Sequence, residues 1–263
     1  MSKKMILSVL FILAVMYLFT VSACGEEGDN PSEPNTEVTY ITNNNYYYYT
    51  NIITNEDGSP YPELTELIWE ETNDVVILTR YLGTDKTVVI PPGINGKPVS
   101  KLSNTFNRYN TGGAIVNITN VVIPTTVTNI GPKAFGGDIL AYGITLPYSI
   151  IVIENNAFIE TEFTDIFIPA SVKLIESGAI VHTELTNMVL EVTGSAVIEG
   201  GAFNLNDYLK TVEILSAPPS VFGGDPFASC PALTAIKVPA SEYVNYTNDV
   251  NWAAHTNIIV TNW

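Results

Sequence analysis

Residues 120–137, with the sequence NVVIPTTVTNIGPKAFGG, carry the pattern that decides the fold. A short apolar stretch ends at Ile123-Pro124, and the apolar residues Ile130 and Phe135 follow it. Six copies of the strand pattern lie 22 to 24 residues apart and close at Ile123, Leu146, Ile168, Leu190, Ile214 and Val238. A unit this short cannot bury its own apolar face and must stack on its neighbours. The sequence therefore predicts a β-rich repeat solenoid with units of about 23 residues.

Each unit is predicted to contain short strands joined by tight turns. Proline follows the strand in four of the six copies, as at Pro124 and Pro169, and it ends strand pairing because it has no amide to donate. Residues 131–135 and 154–158 are too short for full helices and predict single tight or helical turns. A degenerate first copy, Val88-Val89-Ile90-Pro91, precedes the six.

Two end segments are predicted to cover the exposed coils of the solenoid, which we place at residues 64–260. Residues 67–70 and 75–81 flank a polar turn and predict a hairpin that caps the N-terminal coil. At the other end, Ser241 is a candidate N-cap for one or two helical turns. Trp252, together with residues 258–260, is expected to cover the last coil.

Residues 1–23 are predicted to be an export signal. Lys3 and Lys4 precede an apolar run, residues 5–19, that is shorter than the roughly 20 residues of a membrane-spanning helix. Residues 21–24 (VSAC) resemble the bacterial lipobox, in which the cysteine becomes the lipidated first residue of the mature protein. An ordinary secretory signal is the alternative. Acyl chains on Cys24 would anchor the protein to a membrane.

Two segments of unusual composition separate this signal from the repeats. Residues 24–37 are acidic, contain two prolines and lack aliphatic side chains, which predicts an extended tether. Residues 38–63 form an Asn/Tyr-rich low-complexity segment that includes Tyr46–Tyr49. The tyrosine run is either a platform on which sugars stack or a spacer or strand against the first coil, and its composition favours the spacer.

The net charge argues against one class of partner. Removing residues 1–23 takes Lys3 and Lys4 from the 11 basic residues and none of the 27 acidic ones, which leaves a formal charge of −18. A surface of this sign repels phosphate backbones, so we expect no nucleic-acid partner. It also opposes docking on anionic lipid, so membrane attachment is expected only through Cys24.

The repeats resemble the BspA-like family of bacterial leucine-rich repeat surface lipoproteins. Residues 121–124 (VVIP), 130–131 (IG) and 134–135 (AF) follow the family's unit, and residues 227–230 (FASC) match its end. Ile180 departs from the pattern, which has phenylalanine there. The resemblance covers residues 64–260 and implies a right-handed leucine-rich repeat solenoid that is exported and takes part in adhesion and protein contact. It implies no catalytic motif and no cofactor.

Alternation along each strand predicts an outward face that a ligand can contact. If Val121 and Ile123 point inward, Val122 points outward. The candidate ligand-binding residues are Val122 and its counterparts Thr145, Phe167 and Val189, with Asp165 and Asn187 in the neighbouring row. Exposed apolar residues with polar borders often mark contact sites. The alternative is that β-branched and aromatic residues simply favour strands here and that residues 46–49 cover them.

No pattern in the sequence predicts an active site or a metal centre. His182 and His255 are the only histidines, and neither has a second histidine or cysteine at ligand spacing. Cys230 occupies an interior repeat position, which predicts an unreactive core thiol. Residues 93–97 lack the hydroxyl residue and the following helix of a phosphate loop. A weak calcium site between acidic loops is left open.

These observations favour a lipid-anchored recognition or adhesion protein of the outer membrane and cell surface that binds an extracellular protein or glycan. The alternative is a periplasm-facing envelope scaffold that bridges other proteins or peptidoglycan. A polysaccharide hydrolase is disfavoured, because it needs paired acid and base carboxylates in a cleft and the sequence singles out no such pair.

Overall fold

The computed structural model describes residues 38–43, 46–51, 67–108, 118–137 and 144–262, with side chains from residue 67 onward except for Phe222. The predicted signal at residues 1–23, Cys24 and the tether at residues 24–37 lie outside the described residues. The described repeats form a β-solenoid with little helix and coils about 23 residues apart, which confirms the predicted fold class.

An antiparallel hairpin precedes the solenoid in the sequence. Its strands are β1 (Val38–Asn43) and β2 (Tyr46–Asn51), and their register runs from the pair Val38 and Asn51 to the pair Asn43 and Tyr46. The tyrosine run therefore lies in a strand, in agreement with the β preference of tyrosine.

A second hairpin opens the solenoid. β3 (Leu67–Glu71) pairs antiparallel with β4 (Val76–Tyr81), and β4 pairs in parallel with β7 (Lys97–Leu102) of the next coil. The short strands β5 (Thr87–Val89) and β6 (Gly93–Ile94) lie between them in the chain. The apolar side chains that β4 turns toward the core are fully buried or nearly so. This antiparallel pair lies at the start of the longest ladder.

Three parallel ladders run along the solenoid, because each coil places its strands beside the same strands of the next coil. The longest joins β4, β7, β10 (Asn129–Ile130), β12 (Val152–Ile153), β15 (Leu174–Ile175), β18 (Val197–Glu199) and β20 (Ser220–Phe222). The second joins β8 (Phe106–Asn107), β11 (Phe135–Gly136), β13 (Phe158–Ile159) and β16 (Ile180–Val181). The third, called the front sheet below, joins β14 (Asp165–Ile168), β17 (Asn187–Leu190), β19 (Thr211–Ile214), β21 (Ala235–Val238) and β22 (Ile259–Thr261).

Aromatic rings stack through the core along the second ladder. The rings of Phe106 and Phe135 have centroids 5.3 Å apart, and those of Phe135 and Phe158 lie 5.2 Å apart and nearly parallel. Ile180 takes the next position, and phenylalanines resume beyond it. These side chains are fully buried. The hydrophobic effect and ring contact therefore both hold successive coils together.

The repeats turn through residues in the left-handed backbone conformation. These residues lie two positions before or two positions after the buried core residues Phe106, Phe135, Phe158, Ile180, Phe203 and Phe227. The first set is Asn104, Lys133, Asn156, Gly178 and Gly201, and the second is Gly137, Glu160, His182, Leu205 and Ser229. The amide of Ala134 closes one such turn on the carbonyl of Gly131, 3.2 Å away. Residues 131–135 and 154–158, all of them described, form tight turns and no helix.

Replacing Lys133 with glycine is expected to raise the free energy of unfolding by up to about 1 kcal/mol. Its φ is 51°, a conformation that costs an L-residue roughly 1–2 kcal/mol and glycine almost nothing, while the greater entropy of unfolded glycine offsets part of the gain. The exposed lysine side chain gives up little packing. Urea unfolding followed by circular dichroism measures the change. Gly178→Val, at the equivalent turn with φ of 67°, should lower the free energy of unfolding. If Lys133→Gly were no more stable than the parent, the left-handed backbone at Lys133 would not be strained.

The C-terminal cap consists of α1 (Tyr243–Asn248), a 3₁₀ helix (Val250–His255) and β22. The predicted helical turns are present, but the prediction of Ser241 as N-cap is wrong. The N-cap is Glu242, and its side chain makes no capping hydrogen bond. The reason is local: the amide of Glu242 closes a turn on the carbonyl of Pro239, 2.9 Å away, which delays the start of the helix by one residue.

Buried aromatic residues fasten this cap to the last coils. Tyr246 and Trp252 are fully buried, with ring centroids 5.2 Å apart and nearly perpendicular planes. Trp252 also lies 6.3 Å from the ring of Phe227. The Tyr246 hydroxyl donates to the carbonyl of Ser216 at 3.1 Å, and burial raises the pKa of this phenol well above its ordinary value. Trp252 therefore packs against both the helix of this segment and the last phenylalanine of the core.

Candidate ligand-binding face

The front sheet presents two outward rows of residues in register. One row is Asp165, Asn187, Thr211 and Ala235, and the other is Phe167, Val189, Glu213 and Lys237. The residues that alternate with these outward positions, such as Ile166 and Ile168, are buried. The predicted alternation holds in these coils. It brings four of the candidate ligand-binding residues side by side: Asp165, Phe167, Asn187 and Val189.

Val122 lies on a different pair of strands. β9 (Asn120–Val122) pairs in parallel with β5, which places Val122 beside Val89. Val122 is half-buried and Val89 is 48% exposed. The sequence reasoning left Val89 out of the face, although residues 88–91 repeat the pattern of residues 121–124 and carried the necessary signal.

The strand predicted around Thr145 does not form. Residues 144–147 belong to no strand, although Leu146 is buried as its repeat position requires and Thr145 is exposed. The sequence has Gly143 where other copies have Asn120 or Asp165. Glycine disfavours strands because it loses the most conformational entropy and offers no side chain to pack. The described residues of β9 and β14 are therefore not joined by a continuous ladder.

An open cleft with a volume of about 360 Å³ lies at this interruption. Residues of β9, β14 and β17 and the stretch Ile144-Thr145 form its walls. Apart from Val122, all the candidate ligand-binding residues line it: Thr145, Asp165, Phe167, Asn187 and Val189. The cleft is open and lies within the predicted face, where the strand is missing.

Phe167 and Tyr148 form an exposed aromatic pair beside the cleft. They are 37% and 43% exposed, and their ring centroids lie 6.3 Å apart with the planes tilted by 51°. The Tyr148 hydroxyl donates to Oε2 of Glu191 at 2.7 Å, which holds the ring across two coils. Sequence reasoning missed Tyr148. Its only signal is an aromatic residue directly after the strand-ending Pro147.

Polar groups border the apolar part of the cleft. The Thr164 hydroxyl donates to Oδ2 of Asp165 at 2.8 Å, and the side-chain amide of Asn187 donates to Oδ1 of Asp165 at 2.9 Å. The same side-chain amide also donates to the Thr186 hydroxyl at 3.0 Å. These bonds fix the carboxylate, yet each of its oxygens keeps a further lone pair that can accept from a ligand. The face therefore combines an aromatic surface with an oriented acceptor.

Most of the repeats match a known family of repeats. A profile described as the BspA type leucine rich repeat region matches residues 113–234 in six copies. Residues 113–234 are BspA-type leucine-rich repeats. Families of this type act as protein-interaction scaffolds rather than as enzymes. The comparison with curated proteins gives no significant match.

Solved structures of bacterial leucine-rich repeat proteins are similar to this chain. A leucine-rich repeat protein of T. pallidum is 22% identical with a TM-score of 0.44, over 69% of this chain and 92% of the other. A leucine-rich cell surface protein of Faecalibacterium prausnitzii is 15% identical with a TM-score of 0.24, over 75% and 93%. A leucine-rich repeat protein of Bacteroides ovatus is 14% identical with a TM-score of 0.28, over 66% and 70%.

The far end of the front sheet is more polar. Glu213 lies beside Lys237 and accepts a hydrogen bond from the amide of Asn262 at 3.0 Å. Val260 on β22 continues the row and is 42% exposed, but charged residues separate it from Phe167. The apolar part of the face is therefore confined to the coils around the cleft.

The reactive side chains of the repeats serve structural contacts. Nε2 of His255 lies 2.7 Å from Oδ1 of Asp225. Burial alone would raise the pKa of Asp225, but the hydrogen bonds from His255 and the Phe227 amide hold it below its ordinary value. Cys230 is half-buried, its thiol donates to the carbonyl of Phe203 at 3.1 Å, and burial raises the pKa of the thiol.

In the described part of the chain, the His, Cys, Asp and Glu residues form no group of three that could hold a metal ion. Within the same residues, no helix is long and apolar enough to cross a membrane.

Proposed function

We propose that this chain is a lipid-anchored recognition protein of the cell surface, attached through Cys24, whose front sheet binds an extracellular protein. The observation that carries the proposal is the pair Phe167 and Tyr148, which lies exposed beside an open cleft. The family's general role in protein interaction supports a protein ligand. A glycan is the second candidate, because sugars also stack on aromatic rings.

The exposed aromatic surface has a physical use in binding. Covering it would contribute roughly 25 cal/mol for each Å² of apolar area removed from water. Apolar patches bordered by polar groups are typical of contact sites on soluble domains. Asp165 and Asn187 supply such a border, with hydrogen-bonding groups already held in place. This arrangement supports specific binding better than a uniformly apolar or uniformly charged surface does.

The Phe167→Asp variant is expected to bind the ligand at least about tenfold more weakly, because a carboxylate replaces the apolar centre of the face and tenfold corresponds to about 1.4 kcal/mol. The thermal midpoint should change little, since Phe167 is exposed. Cells that display either protein are tested against immobilised extracellular proteins and glycans. The matched control is Val260→Asp, at the polar end of the same sheet. A large drop in the thermal midpoint of Phe167→Asp would contradict a direct role of Phe167 in binding. An equal loss of ligand binding in Val260→Asp would contradict it as well.

Attachment and exposure are tested separately from binding. Cells grown with labelled palmitate should incorporate label into the wild-type chain and not into Cys24→Ser. Protease added to intact cells should then remove the C-terminal coils while a periplasmic marker stays uncut. Cleavage only after the outer membrane is opened would instead support the envelope scaffold that faces the periplasm.

A further inference from the structure

The charge around the aromatic pair has one sign. Asp165 lies two residues before Phe167 on the outward side of β14, and Glu191 accepts the hydroxyl of Tyr148. Glu162 and Glu184 are exposed in the segments that lead into β14 and β17. Two carboxylates, Asp165 and Glu191, therefore border the aromatic pair.

Cations are sparse on the same part of the surface. Between residues 144 and 192, all of them described, the only basic side chain besides His182 is Lys173, and it precedes β15 in the longest ladder. Along the front sheet, Lys210 and Lys237 lie two and three strands from β14, about 10 and 14 Å away at the usual strand spacing. Nothing in these coils neutralises the carboxylates beside the aromatic pair.

An aromatic face next to carboxylates matches one kind of side chain. A guanidinium group stacks flat on an aromatic ring and donates hydrogen bonds in its own plane. With Phe167 or Tyr148 below it, such a group could donate sideways to Asp165 or to Glu191. Each carboxylate already accepts two bonds from the protein, Asp165 from Thr164 and Asn187 and Glu191 from Tyr148 and the Ala170 amide, and retains lone pairs for more. The cleft is open, so a side chain carried by another protein can enter it.

We infer that the cleft beside Phe167 binds an arginine side chain of the protein ligand. The inference rests on the proposed function, since it specifies what the same face recognises. A neutral glycan would use the aromatic rings but would leave the carboxylates uncompensated, and an acidic glycan would be repelled. A positively charged segment gains from both features and from attraction to an acidic chain, whose formal charge without residues 1–23 is 9 − 27 = −18.

The test uses the full-length chain in nonionic detergent and a fluorescently labelled short Gly/Ser peptide that carries arginines. Its twin carries citrulline, which has nearly the same shape without the charge. We expect fluorescence anisotropy to show at least about tenfold tighter binding of the arginine peptide. Asp165→Asn and Phe167→Leu should each weaken that binding severalfold, within the range of ion-pair and cation–π contributions. Thermal midpoints of both variants verify that they fold.

The matched control is Asp74→Asn, an exposed carboxylate in the turn of the N-terminal hairpin. Equal binding of the arginine and citrulline peptides would overturn the inference. So would an equal loss in Asp74→Asn and Asp165→Asn, because it would show general attraction to an acidic protein. Either result leaves the proposed function standing if Phe167→Asp still loses its ligand. If Phe167→Asp keeps its ligand, the proposed function itself fails.

Discussion

We expect the Phe158→Ala variant to lose about 3–5 kcal/mol of unfolding free energy. Phe158 is fully buried, stacks on Phe135 at 5.2 Å and meets the edge of Phe163 at 5.8 Å. Truncation removes these contacts and leaves a cavity between two coils that are fixed by the ladders on either side. Urea unfolding followed by circular dichroism measures the loss.

Two companion variants make this prediction specific. Phe158→Leu should lose only about 1–2 kcal/mol, because Ile180 shows that an aliphatic side chain can occupy the same ladder position. Phe167→Ala, which truncates an exposed ring, should cost less than either. If Phe158→Ala were no less stable than Phe167→Ala, the aromatic ladder would not be the core of the solenoid.

The period of the apolar residues is the reason the fold could be predicted. Every copy from Ile123 to Val238 has to bury the same positions against its neighbours, so errors at one coil are corrected by agreement among the others. The end caps were predictable for a related reason. An exposed terminal coil needs a cover, and the residues after Ser241 offered buried aromatics such as Trp252.

Features that depend on a single coil were harder to predict. The copy at Thr145 keeps the buried Leu146 but has Gly143 at its first strand position, and its residues 144–147 form no strand. The cleft lies at this interruption. The left-handed turns are occupied by residues as different as Lys133, His182 and Leu205, because the stacked coils dictate the backbone there and local preference does not. Neither feature has a reliable signal in one sequence.

The candidate site could be predicted where it lies on paired strands and not where it lies on irregular segments. Alternation placed Asp165, Phe167, Asn187 and Val189 on one surface, since a paired strand leaves each side chain one of two directions. Tyr148 follows a strand that does not form, and its ring reaches Phe167 only through the path of the chain beyond Pro147. Contacts between irregular segments cannot be derived from repeat spacing.

The largest effect outside the repeats is expected from Trp252→Ala, which should also cost about 3–5 kcal/mol. Trp252 is fully buried between Tyr246 and Phe227 and covers the end of the core. A solenoid coil whose cap is lost exposes its apolar face and its unpaired strand edges. The variant should therefore also associate, with a larger fraction of dimers and aggregates in size-exclusion chromatography at low urea.

Replacing Trp252 with phenylalanine separates the effect of volume from that of hydrogen bonding. Among the described residues, Nε1 of Trp252 has no hydrogen-bond partner, so Trp252→Phe removes a donor without breaking a bond. The loss of unfolding free energy in Trp252→Phe should be less than half of the loss in Trp252→Ala. Tyr243→Ala, at a 37% exposed position on α1, is the matched surface control. Circular dichroism is the appropriate probe because Trp252 is one of only three tryptophans. If Trp252→Ala unfolded at the same urea concentration as Tyr243→Ala, the 3₁₀ helix would contribute nothing to capping, and the last coil would be stable without it.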